Sequence, residues 1–193
     1  CPSVSHLTIK NISVFGSKPG IGTTHIAIAL ASTLTANGYP AVYTERNGNN
    51  HLRSMQQEHP AVKEQNGICY YKYFRGIPDY GQGIEPPDSG DAIYVKDFGV
   101  YQKDIIELGP ENFNLFILSG SPWDLAQTIS TGLELSRLGN TAFICNYNNQ
   151  SSAKKLAGKL GCKVYCFPFD GDAFTCTETK TDLFFHALSF EIG

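Results

Sequence analysis

The chain has 193 residues, 41% of them hydrophobic, which is enough for one core. Charged residues make up 17% and aromatic residues 12%, a balance that excludes disorder driven by charge and low hydrophobicity. Lys plus Arg total 15 against 18 Asp plus Glu, a net charge of -3, which excludes bulk attraction to nucleic acid or to an anionic membrane surface.

The sequence opens on Cys1-Pro2-Ser3-Val4-Ser5-His6. It has neither an initiator Met nor a signal-like apolar core there, as expected of a piece of a longer chain. The longest unbroken apolar run, Ile26 to Ala31, falls far short of the roughly 18 to 20 residues that cross a bilayer, so no transmembrane segment is expected.

In chain order, strand-length apolar runs fall at Ile12 to Phe15, Ala41 to Tyr43, Ala92 to Val95, Leu115 to Leu118, Ala142 to Cys145 and Val164 to Phe167. They are mostly continuous rather than alternating, the pattern of strands buried on both faces. Helical segments are expected between them at Thr24 to Asn37, Gln102 to Leu108, Trp123 to Leu138, Ser151 to Leu160 and Thr179 to Phe190. Strand and helix in alternation predict a doubly wound, mostly parallel α/β fold in one domain spanning residues 1–193. The stretch 47–90 is polar and rich in Pro and Gly, and it carries Tyr70, Tyr71, Tyr73 and Phe74. It reads as an insertion containing a short hairpin, packed by its own aromatic residues or serving a partner.

Cysteines stand at positions 1, 69, 145, 162, 166 and 176. Cys69, Cys145 and Cys166 lie inside strand-like runs, where a free buried thiol is common, so reduced thiols and a cytoplasmic location are expected. No pair has zinc-type spacing, and a structural metal is not expected.

The most informative segment is Phe15-Gly16-Ser17-Lys18-Pro19-Gly20-Ile21-Gly22-Thr23-Thr24-His25-Ile26. A buried strand enters a glycine turn that opens a helix, where free N–H groups and the positive end of the helix dipole converge on one point. Such a turn serves as a phosphate cradle, or simply lets a strand and a helix pack tightly.

Two families use this arrangement. Gly16, Gly20 and Gly22 resemble the glycine pattern of short-chain dehydrogenases, which implies NAD(P) binding with Glu45 on the ribose. Against that resemblance, His25 stands where the dinucleotide fingerprint has its third glycine, and no Tyr-x-x-x-Lys pair occurs. The run Lys18-Pro19-Gly20-Ile21-Gly22-Thr23-Thr24-His25 resembles the Lys-Gly-Gly-x-Gly-Lys-Thr-Thr turn of the MinD/ParA-like P-loop ATPases, with a deviant Walker A motif. Lys18, the two glycines and Thr24 match, while Pro19 and Thr23 depart.

That resemblance implies that residues Ser17 to His25 cradle the phosphates of ATP or ADP and that Thr24 and Asp97 serve magnesium. It implies further that Asn146 touches the base and that Lys18 reaches across a face-to-face, nucleotide-dependent homodimer. Glu45 and Asn47 fall where the family carries two aspartates, and Phe167-Pro168-Phe169-Asp170 resembles its late strand followed by Pro. Thr23 replaces the lysine that spans the β- and γ-phosphates, a charge-assisted interaction of roughly 1.5 to 3 kcal/mol, so nucleotide and Mg binding are expected to be weak. Asn47 is a poorer partner for an attacking water than a carboxylate. ATPase activity is therefore expected to be weak or absent.

The functional expectation is a degenerate P-loop protein, an ATP-binding switch or pseudo-ATPase in the localisation or assembly of a larger machine. Secretion and pilus localisation factors of the group are the analogy. A short-chain-dehydrogenase-like reductase and a scaffold without nucleotide binding are the alternatives. Asp97-Phe98-Gly99 spells a kinase magnesium motif without the accompanying His-Arg-Asp loop and is read as coincidence. Lys154, Lys155, Lys159 and Lys163 read as a solvated helix face rather than a nucleic-acid site, and His51 and His59 as exposed.

Overall fold

A computed structural model describes residues 9–78, 90–103, 109, 111–146 and 150–189. Its strands are β1 (Asn11–Gly16), β2 (Ala41–Glu45), β3 (Lys63–Gln65), β4 (Ile68–Tyr71), β5 (Phe74–Ile77), β6 (Ile93–Val100), β7 (Asn112–Ser119), β8 (Thr141–Asn146) and β9 (Val164–Cys166). Its helices are α1 (Thr23–Ala36), α2 (His51–Glu58), α3 (Leu125–Leu135), α4 (Gln150–Leu160) and α5 (Glu178–Leu188).

The strands form one sheet in the order β3-β4-β5-β2-β6-β1-β7-β8-β9. Every neighbouring pair from β5 to β9 is parallel, and only β4 runs against its neighbours. Side chains alternate across the strands: Ile12 and Val14 enter a core that includes α1 and α5, whereas Phe15 enters a second core with Leu135 of α3 and Leu156 of α4. Helices on both faces of a mostly parallel sheet make the expected doubly wound α/β fold.

α1 is buried almost all round from Ile26 to Leu34, because it packs on the sheet on one side and on α5 on the other. It ends at Asn37 and Gly38, whose φ of +85° suits a helix terminus.

Several boundaries differ from the sequence expectation. α3 starts two residues after Trp123 and stops at Leu135, because Ser121 to Asp124 form a turn in which Asp124 N–H bonds Ser121 O. β6 runs on to Val100, beyond the expected end at Val95, and holds Asp97 inside the strand. Val14 pairs with Asp97 but Gly16 pairs with Val100, so β6 carries one extra residue, a bulge made at Gly99 with φ +68°.

The stretch 47–90 carries α2 and the strands β3 to β5; β4 and β5 make the short hairpin expected there and, together with β3, extend the sheet itself. Residues 79–89 of it, and most of the helix expected at Gln102 to Leu108, lie outside the described residues. A row of polar side chains in register, Thr44, Lys96, Ser13 and Asn114, crosses β2, β6, β1 and β7 and is buried on the face opposite α1. The strands are thus less uniformly apolar inside than their composition suggests.

Candidate functional site

Parallel strands deliver their C-terminal ends to one edge of the sheet, and the glycine turn follows β1 there. Ser17 anchors the turn: its N–H donates to Ile117 O at 2.9 Å, and its Oγ accepts from Ser119 N–H at 3.1 Å. Gly20 and Gly22 adopt φ values of +71° and +91°, a region that favours glycine. Pro19 and Gly20 are exposed, and a Cβ placed on Gly20 would meet nothing within 4 Å.

Gly16 has the opposite surroundings. A Cβ there would lie 2.2 Å from Thr23 Oγ1 and 2.6 Å from Ile21 Cγ2, so the buried Ile21 and Thr23 side chains pack back against its Cα. α1 then begins with Gly22 as its N-cap and no side-chain capping bond. The first N–H groups of a helix have no intrahelical carbonyl, so this start presents open donors and the positive end of the dipole. Asn146, at the end of β8, is buried and donates its Nδ2 to Ile21 O at 2.8 Å, which fixes the turn from behind.

Beside the turn, Asp97 is fully buried. Its Oδ2 accepts from Thr24 Oγ1 at 2.6 Å, Asn47 Nδ2 at 2.8 Å and Tyr43 OH at 2.9 Å, and its Oδ1 accepts from Gly99 N–H at 2.9 Å. These donors are all neutral. Burial, together with the nearby Asp97 and Glu45 carboxylates, pushes the Tyr43 phenol far above its usual range, so it stays a donor. Asn47 fits as an amide because a carboxylate there would face Asp97; its Oδ1 accepts from Asn49 N–H at 3.0 Å.

The Lys18 and His25 side chains near the turn are already paired. Lys18 Nζ reaches Asp124 Oδ2 at 2.5 Å, and Asp124 also accepts from Ser119 Oγ at 2.7 Å. His25 Nε2 lies 3.2 Å from Asp170 Oδ2, which is itself 2.5 Å from the buried Lys180 Nζ of α5. The Glu45 carboxylate accepts from His51 N–H at 2.8 Å and Leu52 N–H at 3.1 Å and so caps α2. That use takes it away from the ribose role that the dehydrogenase resemblance implies.

Ser17 to His25, Asp97 and Asn146 are thus brought to one edge of the sheet. The sequence did not mark Tyr43, Asp124, Asp170 and Lys180 as site residues, because Tyr43 lies in an apolar strand run, Asp124 and Lys180 lie inside expected helices, and Asp170 entered only with the resemblance to a late strand followed by Pro. The residues fit a phosphate at the uncapped start of α1. They also fit a hard divalent cation at the hydroxyl and carboxylate of Thr24 and Asp97. Lys154, Lys155, Lys159 and Lys163 are exposed, and Lys163 Nζ stacks on the Tyr165 ring at 4.4 Å. His51 and His59 are exposed too.

Among the described residues, no group of three or more His, Cys, Asp or Glu could hold a metal ion by itself, and no helix is long and apolar enough to cross a membrane.

No protein-family model matches the chain, and no curated protein matches it. Solved structures do. A MinD cell division protein from Aquifex aeolicus superposes with a TM-score of 0.59 at 12% identity, covering 84% of this chain and 83% of that one. A plasmid partition protein from Borrelia burgdorferi gives 0.59 at 12% identity, covering 94% and 99%. A ParA family ATPase from Chlorobium tepidum TLS gives 0.53 at 12% identity, covering 96% and 94%. The fold is therefore the mostly parallel α/β fold of the ParA and MinD P-loop proteins.

Proposed function

We propose that this protein binds ATP or ADP at the turn from Ser17 to His25 and acts as a nucleotide-dependent switch in the localisation or assembly of a larger machine, with weak or absent ATPase activity. The observation that carries the proposal is the uncapped, glycine-shaped start of α1 set beside the Thr24–Asp97 pair. The backbone N–H groups of Gly22, Thr23 and Thr24 receive the phosphates, with Gly20 leaving the approach open. Thr24 and Asp97 are the residues that would hold a magnesium ion, which supplies positive charge against the phosphates when bound. Asn146 braces the turn and borders the base, and Lys18 serves a nucleotide-dependent homodimer once it leaves Asp124.

Hydrolysis needs positive charge around the phosphates and an ordered water. Thr23 offers a hydroxyl in place of an ammonium, Lys18 is neutralised by Asp124, and Asn47 spends its N–H on Asp97. The fold's likeness to MinD and ParA proteins supports the nucleotide over NAD(P), as does the capping role of Glu45.

Titration of the protein with Mg-ATP, Mg-ADP and NADH, read by calorimetry and by sedimentation, tests the proposal. Mg-ATP binding with dimer formation is the expected result; binding of NADH alone, or of no ligand, overturns it. Thr23→Lys restores one charge-assisted contact and is expected to tighten Mg-ATP binding by about ten- to a hundredfold.

A further inference from the structure

Asp97 Oδ2 carries more donors than it has lone pairs. A carboxylate oxygen offers two acceptor sites, yet this one receives Thr24 Oγ1, Asn47 Nδ2 and Tyr43 OH at 2.6, 2.8 and 2.9 Å. Oδ1 accepts from the Gly99 N–H at the β6 bulge. A carboxylate that serves magnesium needs an open lone pair, either for the ion or for a water that the ion holds. At Oδ2 such a lone pair opens only when a donor leaves. Thr24 and Asn47 are half-buried and can turn toward a ligand or solvent. Tyr43 cannot. It is fully buried on β2, its ring centroid lies 5.7 Å from that of Phe74, and Phe74 packs in turn on Phe174. A phenol displaced from Asp97 at that place loses a bond to a charged acceptor with no water at hand, and a buried polar group is costly to leave in that way.

Building on the nucleotide proposal above, we infer that Tyr43 sets the metal requirement of the site: its hydroxyl holds the place on Asp97 that magnesium or a magnesium-bound water would take, so the turn binds nucleotide with little help from the metal. Weak magnesium binding then has a cause separate from the missing lysine at position 23. Thr23 withholds a charge from the phosphates, whereas Tyr43 withholds an acceptor from the metal. The phosphates are held by the open amides at the start of α1, which are donors in the absence of any metal. The Asp97 charge is shared among four neutral donors, and it repels a nearby phosphate less than a bare carboxylate does. Tyr43 is thus a positioning residue, acting on the nucleotide site through Asp97.

ATP affinity measured by calorimetry with excess magnesium and again with EDTA, on the wild type, Tyr43→Phe and Tyr43→Met, tests this role. Phenylalanine keeps the ring and removes the hydroxyl, while methionine fills the space flexibly, so a fold lost in one variant leaves the other to report. The wild type is expected to bind ATP equally well in both conditions, within about threefold. A folded variant is expected to bind at least about tenfold more tightly with magnesium than with EDTA, the scale of one bond to a charged group. Manganese(II), followed by electron paramagnetic resonance on the nucleotide-free protein, should bind the variants about tenfold more tightly than the wild type for the same reason. Wild-type binding that requires magnesium, or variants as indifferent to both metals as the wild type, overturns the role of Tyr43 and leaves the nucleotide proposal standing. Absence of ATP binding in all three proteins, with and without magnesium, overturns both.

Discussion

At Asp97 a carboxylate is buried against a tyrosine, a threonine, an asparagine and a backbone amide, and its charge is spread over four neutral donors. The site is therefore self-consistent without a cation only while residue 47 is an amide. Asn47→Asp removes a bond to a charged acceptor and sets a second carboxylate against the first, which is expected to cost about 2 kcal/mol and to lower Tm by roughly 4–8 °C. Millimolar magnesium should recover part of that loss in the variant, and an unchanged Tm without the metal would count against this account of Asp97. Acid sensitivity arises at a different residue. Lys72, Thr175 and the Phe174 N–H hold the Asp172 carboxyl well below the usual carboxylate range. A lowered folded-state pKa contributes stability that is complete above the ordinary Asp value of about 3.9 and is lost as pH falls through the folded value. Thermal unfolding followed from about pH 5 down to about pH 2 should thus fall more steeply for the wild type than for Asp172→Asn. Parallel curves for the two would contradict the assignment. The candidate phosphate residues were visible in the sequence because glycine spacing is a local signal. Tyr43 and Asp124 were not, because their roles are set by partners 54 and 106 positions away.

The β1–turn–α1 unit depends on a close approach at Gly16, where added bulk meets Thr23 and Ile21. Gly16→Ala is expected to cost about 1–3 kcal/mol through overpacking and to weaken Mg-ATP binding by roughly tenfold or more, because the start of α1 is displaced. Gly38→Ala provides the contrast. Its φ of +85° makes alanine strained, but it lies in open space at the far end of α1. It should cost about 1 kcal/mol and leave ATP binding unchanged; loss of binding there would mean that α1 senses damage along its whole length. β1, β2, β7 and β8 were apparent from apolar runs. α2 and β3 were not, and the reason is visible in their residues. Leu52 is the buried residue of α2, and Lys63, Glu64 and Gln65 of β3 are all exposed, so neither element carries a hydrophobic pattern to read. The Glu45 carboxylate and pairing with β4 hold them in place, and both are contacts between elements.

On the scale of the whole molecule, the segment between β9 and α5 ties distant parts together. Lys180 Nζ is buried and contacts Asp170 Oδ2 at 2.5 Å, Asp172 O at 2.8 Å and Thr175 O at 2.7 Å, while Asp170 also meets His25 beside the glycine turn. On its other side the same segment receives Lys72 from the β4–β5 turn, and Phe174 packs against the Tyr71 and Phe74 rings. Lys180→Met removes the cation and leaves the carboxylate without it, which is expected to cost about 3–5 kcal/mol and roughly 6–20 °C in Tm. A loss below about 1 kcal/mol would show that the pair is solvated in solution. The sequence by itself determined the strand–helix alternation and the place of the glycine turn, because periodicity, glycine and chain order act between near neighbours. Tertiary structure decided where the charges go: Lys18 to Asp124, Glu45 to α2, Asp170 to Lys180 and four neutral donors to Asp97. A buried or half-buried charge takes whichever partner the packed sheet brings within bonding distance, and that partner is fixed by strand order and register, which no local pattern encodes.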